Sequence, residues 1–202
     1  MGGLRLPILG LVAALALLPI PAGAGAPTDQ LRAAAEKVTQ ILDDPALQAE
    51  ARAPERQAAV RAAVIDLLDF TEISRRALGR HWRPLTDAER EEFVALFRAL
   101  LDRTYLPQIK LYQGERIQFV GESVDGDFSA VQARVATRRG QEAAVMFRLH
   151  RRDERWLIYD VSVEGISLVS NYRAQFDQII QRASYQALVE RIKQKLADSR
   201  SE

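Results

Sequence analysis

The spacing of apolar residues changes twice along this sequence, and these changes constrain the fold more than any other feature. Apolar residues recur every three or four positions as far as Pro107, alternate with polar residues over 115–165, and return to helical spacing from Ser170. Alternation is typical of strands with one buried face, and the helical period is typical of amphipathic helices. The order predicts one α+β domain with helices packed on the apolar face of an antiparallel sheet.

The helical parts have recognisable boundaries. Residues 28–68 keep helical spacing, which Pro45 and Pro54 interrupt, and a short helix is predicted over 71–79. The last part is predicted to be helical to the end of the chain, with Ser170 as its capping residue.

The segment "ALGRHWRPLTDAEREEF" (77–93) gathers a histidine, a tryptophan and several arginines, yet capping chemistry explains most of it. Gly79 suits the end of a helix, and Pro84 prevents the helix from continuing. Thr86 and Glu89 have the spacing of a capping box that starts the next helix. The segment therefore predicts a joint between two helices.

The alternating part predicts four strands joined by polar turns. The strands are expected at 115–122, 128–138, 143–152 and 155–165, with turns at 125–127 and 138–142. In the fourth strand, one face is expected to carry Leu157, Tyr159, Val161 and Val163.

The N-terminus predicts export. A single positive charge, Arg5, precedes an apolar run and then the small residues of 22–26, which is the pattern of a signal peptide with cleavage after Ala24 or Ala26. The chain contains no cysteine, so disulfides, thiolate metal sites and a lipid-modified cysteine are excluded. The expected organisation is a signal peptide at 1–26 and one domain at 27–202.

Charge gives no sign of nucleic-acid binding. Arg5 is the only charged residue of the first 26, so the remainder carries 27 basic and 27 acidic residues. A domain with no net charge lacks the electrostatic footprint that nucleic acid requires.

A search for chemistry finds no catalytic motif. His81 and His150 share no metal-ligand spacing, and single histidines of this kind have structural or surface roles more often than catalytic ones. Asp66 and Asp69 are expected on the solvated side of a helix. Neither a metal nor a cofactor is predicted, and the apolar pattern alone favours a packed core over a ligand cavity.

Two long blocks resemble the MlaC-type, toluene-tolerance family. "DFTEISRRALGRHWRPLTDAEREEFVALFRALLDRTY" (69–105) is similar to the family's signature segment, and "WLIYDVSVEGISLVSNYRAQF" (156–176) is similar to its second conserved run. In the first block the matching positions are Phe70, Ala77, Leu78, Gly79, Trp82, Thr86, Glu89, Arg90, Phe93, Phe97, Leu100, Leu101 and Tyr105.

The resemblance implies a periplasmic phospholipid carrier and not an enzyme. Such proteins shuttle lipid between an outer-membrane lipoprotein–porin complex and an inner-membrane ABC transporter that bears an MCE-domain protein. The implied fold is an antiparallel sheet covered by helices around an apolar cavity, with the four strands that the alternation predicts, and a monomer is expected. A related branch of the family is associated with hopanoid lipids, and that alternative stays open.

Helical spacing and strand alternation then indicate which apolar residues could line a cavity for the acyl chains. These are Phe97, Leu101, Tyr105, Phe119, Val131, Val135, Val145, Phe147, Leu149, Tyr159, Val161 and Val163.

Two other classes of function stay open at this point. A cone-shaped isomerase fold would need a carboxylate base, for which Asp160 is the candidate, although alternation places it opposite Tyr159. A protein-binding adaptor would need no lipid. Arg80, His81 and Arg83 are candidates for contact with a partner or a phosphate.

Overall fold

The structure is a computed structural model that describes residues 26–107, 115–136 and 142–198 of the 202-residue chain. The described residues form six α-helices and five strands. In chain order these are α1 (Ala26–Asp43), α2 (Ala53–Val64), α3 (Phe70–Leu78), α4 (Asp87–Tyr105), β1 (Arg116–Asp125), β2 (Phe128–Ala136), β3 (Glu142–Arg152), β4 (Arg155–Val163), β5 (Ile166–Ser167), α5 (Leu168–Arg182) and α6 (Tyr185–Asp198). The α+β class predicted from the sequence is confirmed.

Some sequence predictions fall outside the described residues. They are the signal peptide as far as residue 25, the end of the second predicted strand at 137–138, most of the predicted turn at 138–142, and the last predicted helical residues, 199–200.

Local side-chain caps set the helix starts. The predicted capping box is confirmed, since Thr86 Oγ1 accepts from the Glu89 amide at 3.3 Å and Glu89 Oε2 accepts from the Thr86 amide at 2.8 Å. Gly79 ends α3 with a φ of +54°, as predicted. Asp69 is buried rather than solvated, because its carboxylate caps α3 by accepting from the Glu72 amide at 2.9 Å; Asp66 is exposed, as expected.

Helix α5 begins three residues earlier than predicted. The capping residue is Ser167, whose hydroxyl oxygen accepts from the amide of Ser170 at 3.0 Å, so the prediction of a cap at Ser170 was wrong. The earlier start places Val169 in the helix, where it is buried against the other helices. The C-terminal helical part is also divided, at Ala183 and Ser184, into α5 and α6.

The sheet is a meander in which each strand pairs antiparallel with the next one along the chain. Sequence analysis predicted four strands; the fifth is the two-residue β5, which pairs with the end of β4. So short a strand gives no periodic signal.

A register shift between β3 and β4 breaks the predicted alternation. Arg148 pairs with Asp160 and Leu149 pairs with Ile158, so Tyr159 has no cross-strand partner in this ladder. The shift places Leu157 opposite His150 and Val161 opposite Phe147, on different faces of the sheet. The prediction that Leu157 and Val161 share a face was therefore wrong.

Two apolar cores result, and the candidate site lies between them. The helical core joins α3, α4, α5 and α6 through the buried residues Ile73, Ala77, Leu78, Phe93, Phe97, Leu100, Val169, Phe176, Leu188 and Ile192. The sheet core lies between α1 and the sheet and contains Leu31, Val131, Leu149, Trp156 and Ile158.

The segment before α3 joins the two cores along the edge of β4. The Asp69 amide donates to the Ile158 carbonyl at 3.0 Å, and Leu68 forms a parallel bridge with the same residue. Leu68 packs against both cores. Across the described ranges, no helix combines the length and the apolarity that a membrane crossing requires.

Candidate functional site

A cavity of about 180 Å³ lies at the junction of the two cores. Its walls come from the end of α2, the segment before α3, the first turn of α3, the C-terminal half of α4, β4 and the start of α5. Twelve of the fourteen lining residues are apolar or aromatic, and the other two are Asp102 and Asp160. Such a lining suits hydrocarbon, which gains free energy wherever it leaves water.

Three larger concave regions exist, including one of about 430 Å³ on the sheet beside Arg134 and Arg148, and each has charged side chains in its lining. A groove of about 720 Å³ outside α4 is lined by three arginines and three acidic residues, and one of about 670 Å³ lies between α1 and β1 beside Arg32, Glu36 and Asp43. Charged side chains keep water in these regions, so the largest volume does not identify the site best suited to hydrocarbon. The junction cavity is the candidate.

Helix α4 supplies one wall through residues one turn apart. Leu101 and Tyr105 stand at an i, i+4 spacing and both line the cavity. Phe97, one turn earlier, does not reach it. Its fully buried ring packs in the helical core, with its centroid 4.9 Å from that of Tyr172 and 5.2 Å from that of Phe176.

The phenol of Tyr105 belongs to this wall although its ring is partly exposed. Burial, followed by the effect of the neighbouring Tyr172, raises the pKa of Tyr105. A phenol is neutral at ordinary pH and the upward shift acts in the same direction, so Tyr105 adds no charge to the apolar lining.

Strand β4 supplies the facing wall, which includes Tyr159 and Val161. The guanidinium of Arg76, on α3, lies 3.8 Å from the centroid of the Tyr159 ring, close enough for a cation–π contact. Phe128 and His150 pack their rings nearly perpendicular to it, at 6.2 and 6.0 Å. These contacts hold the ring between helix and sheet.

Asp160 is a structural carboxylate at the edge of the cavity. Its Oδ2 accepts from Ser167 Oγ at 2.7 Å and from Arg148 Nη1 at 3.3 Å, while its Oδ1 accepts from the Val169 amide at 3.1 Å. Only 5% of the residue is exposed. Both oxygens therefore bind the start of α5 or the neighbouring strand, which accounts for the carboxylate without an acid–base role.

The structure brings four of the twelve predicted wall residues together around the cavity: Leu101, Tyr105, Tyr159 and Val161. Phe119, Val131, Phe147 and Leu149 pack in the sheet core. Val135 and Val145 are half-buried on their strands, Val163 is 48% exposed, and Phe97 is in the helical core.

Sequence reasoning did not predict the lining residues that lie at or just before the starts of α3 and α5. Leu68, Phe70, Ile73, Leu168 and Val169 line the cavity but lie where helices begin. The one available signal was their position in the two blocks that resemble the MlaC-type family, since 69–105 and 156–176 contain four of the five.

Neither histidine lines the cavity, although His150 packs against Tyr159 of its wall, and each histidine contacts an aspartate. His81 Nε2 lies 2.8 Å from Asp177 Oδ1, which Arg80 also contacts at 2.7 Å. The hydrogen bond from His81, followed by the charge of Arg80, lowers the pKa of Asp177. His150 Nε2 lies 3.1 Å from Asp69 Oδ2. Within the part of the chain that the structure describes, no three His, Cys, Asp or Glu residues are grouped so as to hold a metal ion.

Comparison with known proteins agrees with this geometry. The family model described as MlaC protein matches residues 32–194. Among solved structures, the fold resembles a phospholipid-binding protein from Ralstonia solanacearum determined in complex with a phospholipid, with a TM-score of 0.73 and 22% sequence identity. The match covers 84% of this chain and 96% of that one.

Proposed function

The chain belongs to the MlaC family, and from that membership we propose that it binds phospholipid, with the acyl chains in the cavity between the helical and sheet cores. The observation that best supports this proposal is the apolar cavity at the junction of the two cores. The fold also resembles that of a protein solved with a phospholipid bound. No catalytic group is required for this function, because the work is transfer of hydrocarbon between two apolar environments.

The energetics explain why such a protein needs an enclosed cavity. Burying one CH₂ is favourable by about 0.8 kcal/mol, so two chains of roughly fifteen carbons represent on the order of 20 kcal/mol relative to water. Escape from a bilayer into water is prohibitive on this scale. Exchange between a bilayer and an apolar cavity can be nearly balanced, which allows both loading and release.

The cavity must widen to accept a whole lipid. Its volume of about 180 Å³ is below the roughly 300–1,000 Å³ typical of ligand sites. It lies at the junction of two cores, so its walls can separate without either core being taken apart. We infer that the C-terminal half of α4, which supplies Leu101 and Tyr105, moves away from β4 as acyl chains enter.

Export and shuttling complete the proposal. Residues 1–26 act as a cleaved signal peptide, and 27–202 form a monomeric carrier in the periplasm. It exchanges phospholipid with an outer-membrane lipoprotein–porin complex and with an inner-membrane ABC transporter that bears an MCE-domain protein. The family resemblance supports these partners, and the hopanoid-associated branch is the alternative cargo class.

A vesicle transfer assay tests carriage. Donor vesicles containing fluorescent phospholipid and a quencher are mixed with acceptor vesicles, with and without the purified protein. The proposal predicts faster transfer that is proportional to protein concentration. Transfer at the spontaneous rate at every protein concentration would contradict it. Repeating the assay with a labelled hopanoid separates the two cargo classes.

A further inference from the structure

We propose that the groove outside α4 binds the phosphate of the lipid whose chains occupy the junction cavity, through the guanidinium groups of Arg61 and Arg98. The inference rests on the proposed function and deepens it by naming the side chains that contact the lipid phosphate. The observations are the position of this groove beside the cavity and the hydrogen-bonding capacity that two of its arginines retain.

The groove and the cavity share a wall. Asp102 lines both, and Phe70 lines the cavity while the next residue, Thr71, lines the groove. The ion pair between Arg61 on α2 and Asp102 on α4 crosses this boundary, with 2.7 Å between Arg61 Nη2 and Asp102 Oδ2. A lipid that leaves the cavity between α2 and α4 would place its first polar groups at this pair.

Arg98 is available to an anion. Its guanidinium carbon lies 5.0 Å from the centroid of the Phe70 ring, and it forms no ion pair with any carboxylate of the described residues. A guanidinium has five N–H donors spread around its plane, so contact with one ring leaves donors able to bind an acceptor. Arg98 therefore contacts Phe70 of the cavity wall and has N–H donors that can bind an anion in the groove.

Arg61 is held in place by a single carboxylate oxygen. Both its Nε, at 2.8 Å, and its Nη2, at 2.7 Å, contact Asp102 Oδ2, so Nη1 can donate to another acceptor. The third arginine of the groove is different. Arg90 is engaged by Asp87 and by the carbonyl oxygens of Trp82 and Arg83, so it is not assigned a role.

The charges of the groove favour an anion at one end. Asp87 is paired with Arg90, and Glu91 lies seven residues before Arg98, about 10 Å along the helix axis. Asp102 opposes an anion but is neutralised by Arg61. The positive charge of Arg98 is therefore the one near the cavity that no described carboxylate pairs with. A phosphate fits this position because its several oxygens can accept hydrogen bonds from arginine donors.

Two lipids with the same chains test the assignment. The full-length exported protein, freed of lipid, is incubated with detergent-solubilised dioleoylphosphatidylglycerol or with dioleoylglycerol, and bound lipid is counted by native mass spectrometry. The wild type should retain the phosphate-bearing lipid about fivefold better, as expected of a few charge-assisted hydrogen bonds partly screened by water. R98Q should remove most of this preference by lowering retention of the phosphate-bearing lipid alone.

A second variant and a matched control distinguish loss of the phosphate contact from a general effect of removing an arginine. R61Q/D102N removes the other donor without leaving an unpaired carboxylate, and should act in the same direction as R98Q. R151Q is the control, because Arg151 on β3 forms an exposed ion pair with Asp127 in the turn between β1 and β2, away from the groove. It should keep the wild-type preference, and circular dichroism should show all variants folded.

The failures of the two proposals differ. Wild-type protein that retains both lipids equally, or a preference unchanged in R98Q and in R61Q/D102N, would overturn the phosphate site and leave lipid carriage intact. Wild-type protein that retains neither lipid would overturn carriage itself. Inorganic phosphate bound in calorimetry as tightly as the phosphate-bearing lipid would assign the groove to free phosphate and overturn the lipid assignment.

Discussion

The amide of Val169 donates a hydrogen bond to Asp160 Oδ1 at 3.1 Å, and both residues line the apolar cavity. With the 2.7 Å bond from Ser167 Oγ, this contact fixes the start of α5 on β4. A buried carboxylate in this position holds the helical core against the sheet core at one side of the cavity. Its role is structural.

Replacing Asp160 should reduce stability without abolishing lipid binding. Asp160→Asn weakens the charge-assisted bonds to Ser167 and Arg148, and we expect the free energy of unfolding to fall by about 1–2 kcal/mol. Asp66→Asn, at an exposed position, should change it by less than about 0.5 kcal/mol. Urea unfolding measures the stabilities, and lipid extraction measures the bound ligand. Loss of lipid from a folded Asp160→Asn protein would contradict a purely structural role.

Narrowing the cavity should displace lipid while the fold is kept. Val161 lines the cavity, so Val161→Phe places a larger side chain where acyl carbons are proposed to lie, and we expect bound lipid per protein to fall to less than roughly half. Val120→Phe makes the same change on β1, where the side chain is 48% exposed, and should leave lipid content unchanged. Equal lipid content in the two variants would place the chains elsewhere.

Adjacent leucines of α4 should differ in their contribution to stability. Leu100 is 4% exposed in the helical core, and Leu100→Ala should lower the free energy of unfolding by about 3 kcal/mol. Leu101 is only half-buried and faces the open cavity, so Leu101→Ala should cost about 1–2 kcal/mol in lipid-free protein. Urea denaturation of both variants checks the difference. A Leu101→Ala cost equal to that of Leu100→Ala would mean that the cavity closes in solution.

Acid should weaken the fold in part through Glu72. Its hydrogen bond from Arg75, aided by Arg76, outweighs burial and lowers the pKa of Glu72 from 4.5 to about 2. A carboxyl with a lowered folded-state pKa stabilises the fold above its unfolded pKa, and this contribution disappears as pH falls from about 4.5 towards 2. Glu72→Gln should therefore show a shallower loss of stability over that interval in urea titrations. An unchanged pH profile would exclude Glu72 as a contributor.

The sequence predicts elements with strong periodicity or capping chemistry, and the reasons are local. Thr86 and Glu89 cap a helix through contacts three residues apart, so their spacing is sufficient evidence. Strands β1 to β4 were found because one face of each is apolar. The two-residue β5 and the register shift at Tyr159 depend on pairing with β4 and β3, which no single segment reveals.

The candidate site was harder to predict for the same reason. Period and face identify which residues are apolar, but not whether their neighbours fill the space between them. Phe97 and Leu101 stand one turn apart on α4, yet one packs in the closed helical core and the other faces the cavity. The difference arises where two cores meet, and it is a property of tertiary structure.

The central claim is that the junction cavity carries a lipid, and the ligand held by the exported protein tests it most directly. Protein expressed with its own N-terminal segment and purified without detergent should give, in native mass spectrometry, a one-to-one complex whose extra mass matches a two-chain phospholipid in the organic extract. A folded protein at the mass of the polypeptide alone, with no lipid in the extract, would contradict the account.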